Sequence, residues 1–167
     1  MAIVANERDI AAEPFGVKVK RQRLLTEARV KGTHVLLDRW MLAPGAIAEF
    51  EVPVRNLAWF QMLDGEVALT HAGGEERLTP AHIVFLPPAF HGTLTSRRGA
   101  TLLHAEVPDA GRFDPEFSKN PPRLRVVDWM REPVLDSQHD ARKRIYVVTP
   151  KLFGTRAIKG EMIIYPP

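Results

Sequence analysis

Few side chains in this sequence could carry chemistry. It has no cysteine, so thiolate nucleophiles, disulfides and thiolate metal sites are excluded, and a reducing compartment is compatible. The most informative group is His91. It ends the run Leu78-Thr79-Pro80-Ala81-His82-Ile83-Val84-Phe85-Leu86-Pro87-Pro88-Ala89-Phe90-His91-Gly92, which reads as a strand, a Pro-Pro turn and an imidazole just past the turn. As a general base it would need an acid and a charged partner to tune it; Glu106 and Asp64 are the candidates. His82 and His104 could join it around a cation, because a tightly held transition ion needs at least three nitrogen or oxygen donors at about 2 Å. A structural reading is simpler: each imidazole is partly buried and bonds a backbone carbonyl, Gln61 or Glu106. No Gly-x-Ser-x-Gly elbow, phosphate loop or dinucleotide glycine pattern occurs. Glu75-Glu76 sits on a hairpin tip and is read as solvated. The polar cluster Ser137-Gln138-His139-Asp140-Ala141-Arg142 is read as a solvated connection, with contact to a ligand or a further barrel as the alternative.

The elements that position these groups are short and β-type. Residues 1–29 form an arm and a first strand, Val17–Gln22. Runs follow at His34–Met41, Ile47–Val54, Leu57–Leu63, Glu66–His71, Glu76–Leu78, Ile83–Leu86, Gly92–Ser96 and Thr101–Val107, separated by Gly or Pro. Such strands at spacings of roughly 8–12 residues indicate an all-β sandwich or barrel over residues 30–108. Asp64-Gly65 and Gly73-Gly74 read as hairpin turns. Residues 109–122, with Gly111, Pro115, Pro121 and Pro122, read as an ordered linker. Strand signals resume over residues 123–167, at Leu124–Val127, Ile145–Val148 and Glu161–Tyr165. The best helix candidates are Glu7–Ala12 and Ser137–Arg144, both short. The tail carries an incomplete internal repeat: Arg39-Trp40-Met41-Leu42-Ala43-Pro44-Gly45 parallels Glu161-Met162-Ile163-Ile164-Tyr165-Pro166-Pro167.

Composition sets further bounds. With 167 residues and 45% hydrophobic side chains, one packed domain plus an appendage is feasible. A net charge of +3 is too small to imply nucleic acid, and the run Lys18, Lys20, Arg21, Arg23 is read as one solvated strand face. No apolar run reaches the roughly 18 residues of a membrane span. The start lacks the charged and apolar regions of a signal peptide. A soluble cytoplasmic protein with no nucleic-acid or membrane partner is the expectation.

The run 63–66, Leu-Asp-Gly-Glu, and the run ending in His91 together resemble the two motifs of a cupin barrel. The resemblance covers about residues 38–107 and implies a double-stranded β-helix (jelly roll) of the RmlC-like type, with extra N- and C-terminal strands. Metal-binding cupins place two histidines and a glutamate in the first motif. Anchoring its glycine on Gly65 puts those ligands at Val52, Val54 and Ala58, none of which can hold a cation, so no metal is expected in this chain. Alternation then implies an apolar barrel interior lined by Val52, Val54, Ala58, Phe60 and Met62, with His91 and His104 as its polar groups. That interior is read either as packed shut or as a pocket for a small hydrophobic or aromatic ligand.

Three functional expectations follow from the resemblance. The first is the non-catalytic N-terminal half of a two-barrel (bicupin) protein, an oxygenase, decarboxylase or isomerase acting on a small organic acid or aromatic compound. Residues 123–167 would then lead into a second barrel holding a transition metal. The second is a small-ligand-binding cupin that is not an enzyme. The third is a metal-independent epimerase or isomerase using His91. On the opposite face of 57–63, Leu57, Trp59 and Leu63 are apolar, so that face is expected to pack on a second barrel or on a symmetry mate in a homodimer.

Overall fold

A computed structural model describes residues 6–137 and 141–165. Strand dominates the chain's regular structure, with almost no helix among the described residues. β1 (Glu13–Pro14), β2 (Val17–Leu25), β3 (Leu36–Glu51), β4 (Leu57–Gly65), β5 (Val67–His71), β6 (Gly74–Leu78), β7 (His82–Leu86), β8 (His91–Ser96), β9 (Ala100–Val107) and β10 (Arg125–Asp128) form one curled antiparallel sheet. A smaller sheet follows, from β11 (Leu135–Asp136), β12 (Lys143–Val148) and β13 (Gly160–Ile164). The large sheet runs in the order β10-β7-β4-β9-β3-β8-β5-β6, with β2 beside β3 and β1 beside β2. No helix among the described residues is long and apolar enough to cross a membrane.

β3 shows how the sheet closes. Residues 36–42 pair with β2 and β9, whereas residues 46–51 pair with β8. Between them Pro44 offers no ladder donor and Gly45 has φ 76°, so the strand turns a corner and serves both layers. Gly65 is fixed by close approach: a Cβ there would lie 2.3 Å from the Gly99 carbonyl oxygen. Asp64-Gly65 is therefore not the hairpin turn its sequence suggests. β4 pairs with β7 and β9, not with β5, and the chain crosses to the other layer at this point. The Ala72-Gly73 turn does join a hairpin, with His71 opposite Gly74.

Neither helix candidate forms among the described residues. Glu7–Asp9 is a single 3-10 turn capped by Asn6. Lys143 and Arg144 belong to β12, whose β-branched run Ile145, Val147, Val148 packs better on a pleated surface. Gln138, His139 and Asp140 of the polar cluster lie outside the described residues. The one α-helical turn among the described residues, α1 (Pro150–Phe153), has Thr149 as N-cap and a left-handed Gly154 after it.

Two hydrophobic cores result. The inner one gathers Trp40, Leu42, Val52, Ala58, Phe60, Met62, Leu69, Val84, Leu86 and Leu94. The outer one gathers Leu57, Ile83, Phe85, Val107, Val127, Ile145, Val147 and Phe153, with Trp59 and Trp129 packed against it. Leu57 and Trp59 are thus covered as expected, but the cover is the chain's own second sheet rather than another molecule. Leu63, at the end of the strand, stays exposed.

That second sheet repeats the opening of the first. β1 pairs with β2 and β2 with β3; in the same order, β11 pairs with β12 and β12 with β13. The connections match as well. Thr26 Oγ1 accepts from Arg29 N and its carbonyl from Val30 N; Thr149 Oγ1 accepts from Leu152 N and its carbonyl from Phe153 N. Gly32-Thr33 and Gly154-Thr155 follow, with glycine φ of 76° and 85°. Each of these threonines accepts through Oγ1 from the amide two residues on, Val35 or Ala157. The described part of the sequence parallel, 39–43 with 161–165, therefore lies within a longer structural repeat.

Candidate functional site

The structure separates the residues that the sequence places inside the barrel. Val52, Ala58, Phe60 and Met62 are buried in the inner core. Val54 is 73% exposed, because β3 ends at Glu51 and Val54 falls in the following turn; strand alternation does not extend to it. His91 also points outward. Its side chain is 74% exposed, with Nδ1 3.7 Å from the Glu51 carboxylate. Phe90, Leu94 and Ser96 are buried, and the inward position next to His91 is Gly92, where a Cβ would strike the rings of Phe90 and Phe50 and the Leu69 side chain. With a period of two, a shift of one residue moves a side chain to the opposite face.

His104 is the imidazole that does enter the barrel. It stacks on Trp40 (4.8 Å between centroids) and Phe60 (5.2 Å). Burial, helped by the charge of Arg21, holds its pKa down at about 4, so it is neutral near pH 7. The three imidazoles do not converge. His82 Nδ1 accepts from Thr79 N at 3.1 Å and lies 3.0 Å from Thr79 Oγ1, closing the turn before β7. Among the described residues, no three of His, Asp and Glu are placed to hold a metal ion. The first-motif positions carry buried hydrocarbon at Val52 and Ala58 and an exposed valine at 54, so these residues do not fit the metal of metal-binding cupins.

A polar cluster surrounds His104 at the end of the barrel where β3 and β4 begin and β9 ends. Asp38 lies opposite His104 across the β3–β9 ladder, with the carboxylate 4.0 Å from Nδ1. Burial raises the Asp38 pKa above the ordinary carboxylate value against the pull of Arg21 and Arg23. Glu106, two residues beyond His104 on the same face, is also raised by burial and by the Asp38 charge, while a hydrogen bond from Asn56 opposes this. Arg21 closes the cluster, 3.9 Å from Asp38, with its guanidinium 4.4 Å from the Phe15 ring centre. The buried Trp40 indole N–H faces Asp38 and favours its charged form. Beneath the cluster Trp40, Phe50, Phe60 and Phe90 interlock, with Phe50 and Phe60 edge to face at 5.0 Å. The interior beneath this cluster is packed with rings.

Asp38 and Asn56 were not singled out from sequence, and Arg21 was read only as one of a solvated basic run. Alternation contains the signal: Asp38, Trp40 and Leu42 share one face of β3, and Val19, Arg21 and Arg23 share one face of β2. The basic run is accordingly not one solvated face. Lys18 and Lys20 are exposed, whereas Arg21 turns inward.

A concavity of about 270 Å³ lies between the sheets on the outer face. Trp59, Gln61, Phe85, Val148 and Met162 are among its lining. Nearby, Asp114 ties the linker to the second sheet. Its carboxylate accepts from Thr155 Oγ1 at 2.7 Å and Arg156 N at 2.8 Å, and these bonds hold its pKa below the ordinary range.

No family model matches the sequence, and no curated protein matches it. Solved structures do match in fold. A protein named as glyoxylate-induced, from Pseudomonas aeruginosa, superposes with TM-score 0.66 at 15% identity over 84% of this chain and 53% of its own. The E. coli protein Ylba gives 0.65 at 10% identity, over 86% and 56%. A Thermotoga maritima protein named as a predicted oxalate decarboxylase gives 0.55 at 15%, over 64% of this chain and 99% of its own. The chain thus has the RmlC-like cupin jelly-roll fold, and it spans about half the length of the first two of these structures.

Proposed function

We propose that this cupin is the metal-poor first half of a two-barrel protein of the oxygenase, decarboxylase or isomerase type, acting on a small organic acid or aromatic compound. The observation that carries the reading is the repeat. β11–β13 copy the topology of β1–β3, down to the threonine-capped turn and the Gly-Thr pair. In the first copy that module opens a barrel, and β3 is paired on both sides. In the second copy β13 is paired on one side only among the described residues. A second barrel beginning with β11–β13 would supply the missing neighbour and house the transition metal, while the present barrel serves as scaffold and interface. The half-length match to two cupin structures supports the same arrangement. The reading is tested in the reading frame beyond Pro167: a His-x-His pair within about 15 residues is expected, on the spacing logic of metal ligands. Metal content gives a second test. Stoichiometric transition metal retained by residues 1–167 after exhaustive dialysis would overturn it.

The mouth cluster favours a second reading, a small-ligand-binding cupin acting alone or as a homodimer. Asp38, Glu106 and His104 are ionisable groups held where burial works against their charge, an arrangement typical of binding and catalytic sites. A thermal-shift screen of small aromatic and carboxylate compounds addresses it. A ligand at about 100 times its Kd adds roughly 2.7 kcal/mol, and a screen without any stabilised sample would count against it.

A further inference from the structure

We propose that Arg21 and Arg23 form a carboxylate-binding site at the barrel mouth, which Glu13 of the amino-terminal arm fills from within the chain. The site goes beyond the two-barrel reading and does not depend on it. Three guanidinium N–H groups converge on one carboxylate oxygen. Glu13 Oε1 accepts from Arg21 Nε at 3.0 Å, from Arg21 Nη2 at 2.6 Å and from Arg23 Nε at 3.0 Å. Planar guanidinium forks of this kind match carboxylates in particular.

The receptor side is built and the occupant side is light. Arg21 is held in place by the Phe15 ring at 4.4 Å and by Asp38 behind it at 3.9 Å, with only 18% of its side chain exposed. Glu13 sits on a strand of two exposed residues, its own side chain 47% exposed. An exposed ion pair of this type is readily exchanged for another. The half-buried Phe15 ring borders the site and offers an apolar edge to an incoming acid. Phe15 packs on Trp40 at 4.5 Å, whose buried indole N–H faces Asp38. Asp38 and His104 lie beyond. The ligand class is therefore a small carboxylic acid with a flat, largely apolar body.

Benzoate is the probe and benzamide its uncharged control. Binding is measured by calorimetry at fixed ionic strength on the wild-type chain, on Glu13→Gln and on Glu13→Gln/Arg21→Gln. Glu13→Gln removes the internal competitor, so benzoate affinity rises at least tenfold over wild type. The double variant loses that gain, and benzamide binds none of the three. Equal affinity in wild type and Glu13→Gln, or benzoate binding that survives Arg21→Gln, overturns the proposal, as does no binding to a folded Glu13→Gln. A measurement on the wild-type chain needs no variant. The Arg21 and Arg23 Nε–H resonances shift with benzoate and stay put with benzamide; resonances unmoved at the highest soluble benzoate concentration also overturn it.

Discussion

β4 and β7 are each buried on both faces, and the two faces are built differently. Inward, Ala58, Phe60, Met62, Val84 and Leu86 meet interlocked aromatic rings and, at one end, two carboxylates and an imidazole. Outward, Leu57, Ile83 and Phe85 meet the aliphatic residues of β12 and Phe153, with Asp114 and Thr155 as a buried polar pair beside them. The outer core keeps its acid fully hydrogen-bonded, with its pKa pulled down. The inner core keeps acids whose pKa burial pushes up. An acid that stabilises the fold is satisfied in its charged form. Acids held against their charge are the arrangement enriched at binding and catalytic sites.

The largest test of this contrast is a pair of truncations. Phe60→Ala removes the ring shared by Trp40, Phe50 and His104 and is expected to cost ~3–5 kcal/mol, with the whole chain unfolding in one transition. Phe153→Ala is expected to fall at the low end of that range and to release the second sheet first, seen as early hydrogen exchange at β12 and β13. A single common transition in both variants would erase the distinction between the cores.

Next comes pH. His104 is held near 4 in the folded chain, against about 6.5 when unfolded. Between those values the unfolded chain binds a proton that the folded one does not. Its contribution is intact above about 6.5 and stability falls on acidification, by up to about 1.4 kcal/mol per pH unit. Asp38 and Glu106 act with the opposite sign. Their raised folded pKa values favour the fold at low pH, an advantage lost as pH rises through them, so they flatten the net slope. Urea midpoints across pH 4–7 should show His104→Gln with a weaker acid dependence than wild type; an unchanged slope would remove His104 from the account.

Asp114→Ala acts on the outer core alone, at an expected ~1–3 kcal/mol for stranded partners. Its lowered pKa places the matching acid effect below the ordinary carboxylate value: the contribution is present above it and lost as pH falls through the folded pKa. Protease cutting within residues 109–122 should rise in the variant while the near-ultraviolet signal of the inner rings persists. The smallest effect is expected at His91→Ala, within about 0.5 kcal/mol, as for an exposed side chain outside any network.

The strands themselves were largely legible in sequence, because alternation and Gly or Pro punctuation recur at nearly every boundary from β2 to β10. β1 and β11 were not, since two residues carry no period. The inner lining of β4 followed from alternation, but that rule stops where a strand stops, which is why Val54 was misplaced. His91 was misplaced because the phase beyond the Pro-Pro turn depends on Ala89, whose φ of 56° is not readable from residue type. The mouth cluster draws on β2, β3 and β9, far apart in sequence, and only the ladder registers bring Arg21, Asp38 and His104 together. The repeat was visible in the parallel between residues 39–45 and 161–167; its turn was hidden because the two copies share little beyond threonine, glycine and a hydrogen-bonding pattern.

The outer core also sets an order in time. Leu57, Ile83 and Phe85 leave the ribosome well before Ile145, Val147 and Phe153, which cover them. Every nascent copy therefore passes through an interval in which the barrel is complete but one flank is bare hydrocarbon. A stop codon anywhere in the linker would make that interval permanent, and such a truncated barrel should emerge in aggregates or bound to chaperones rather than free.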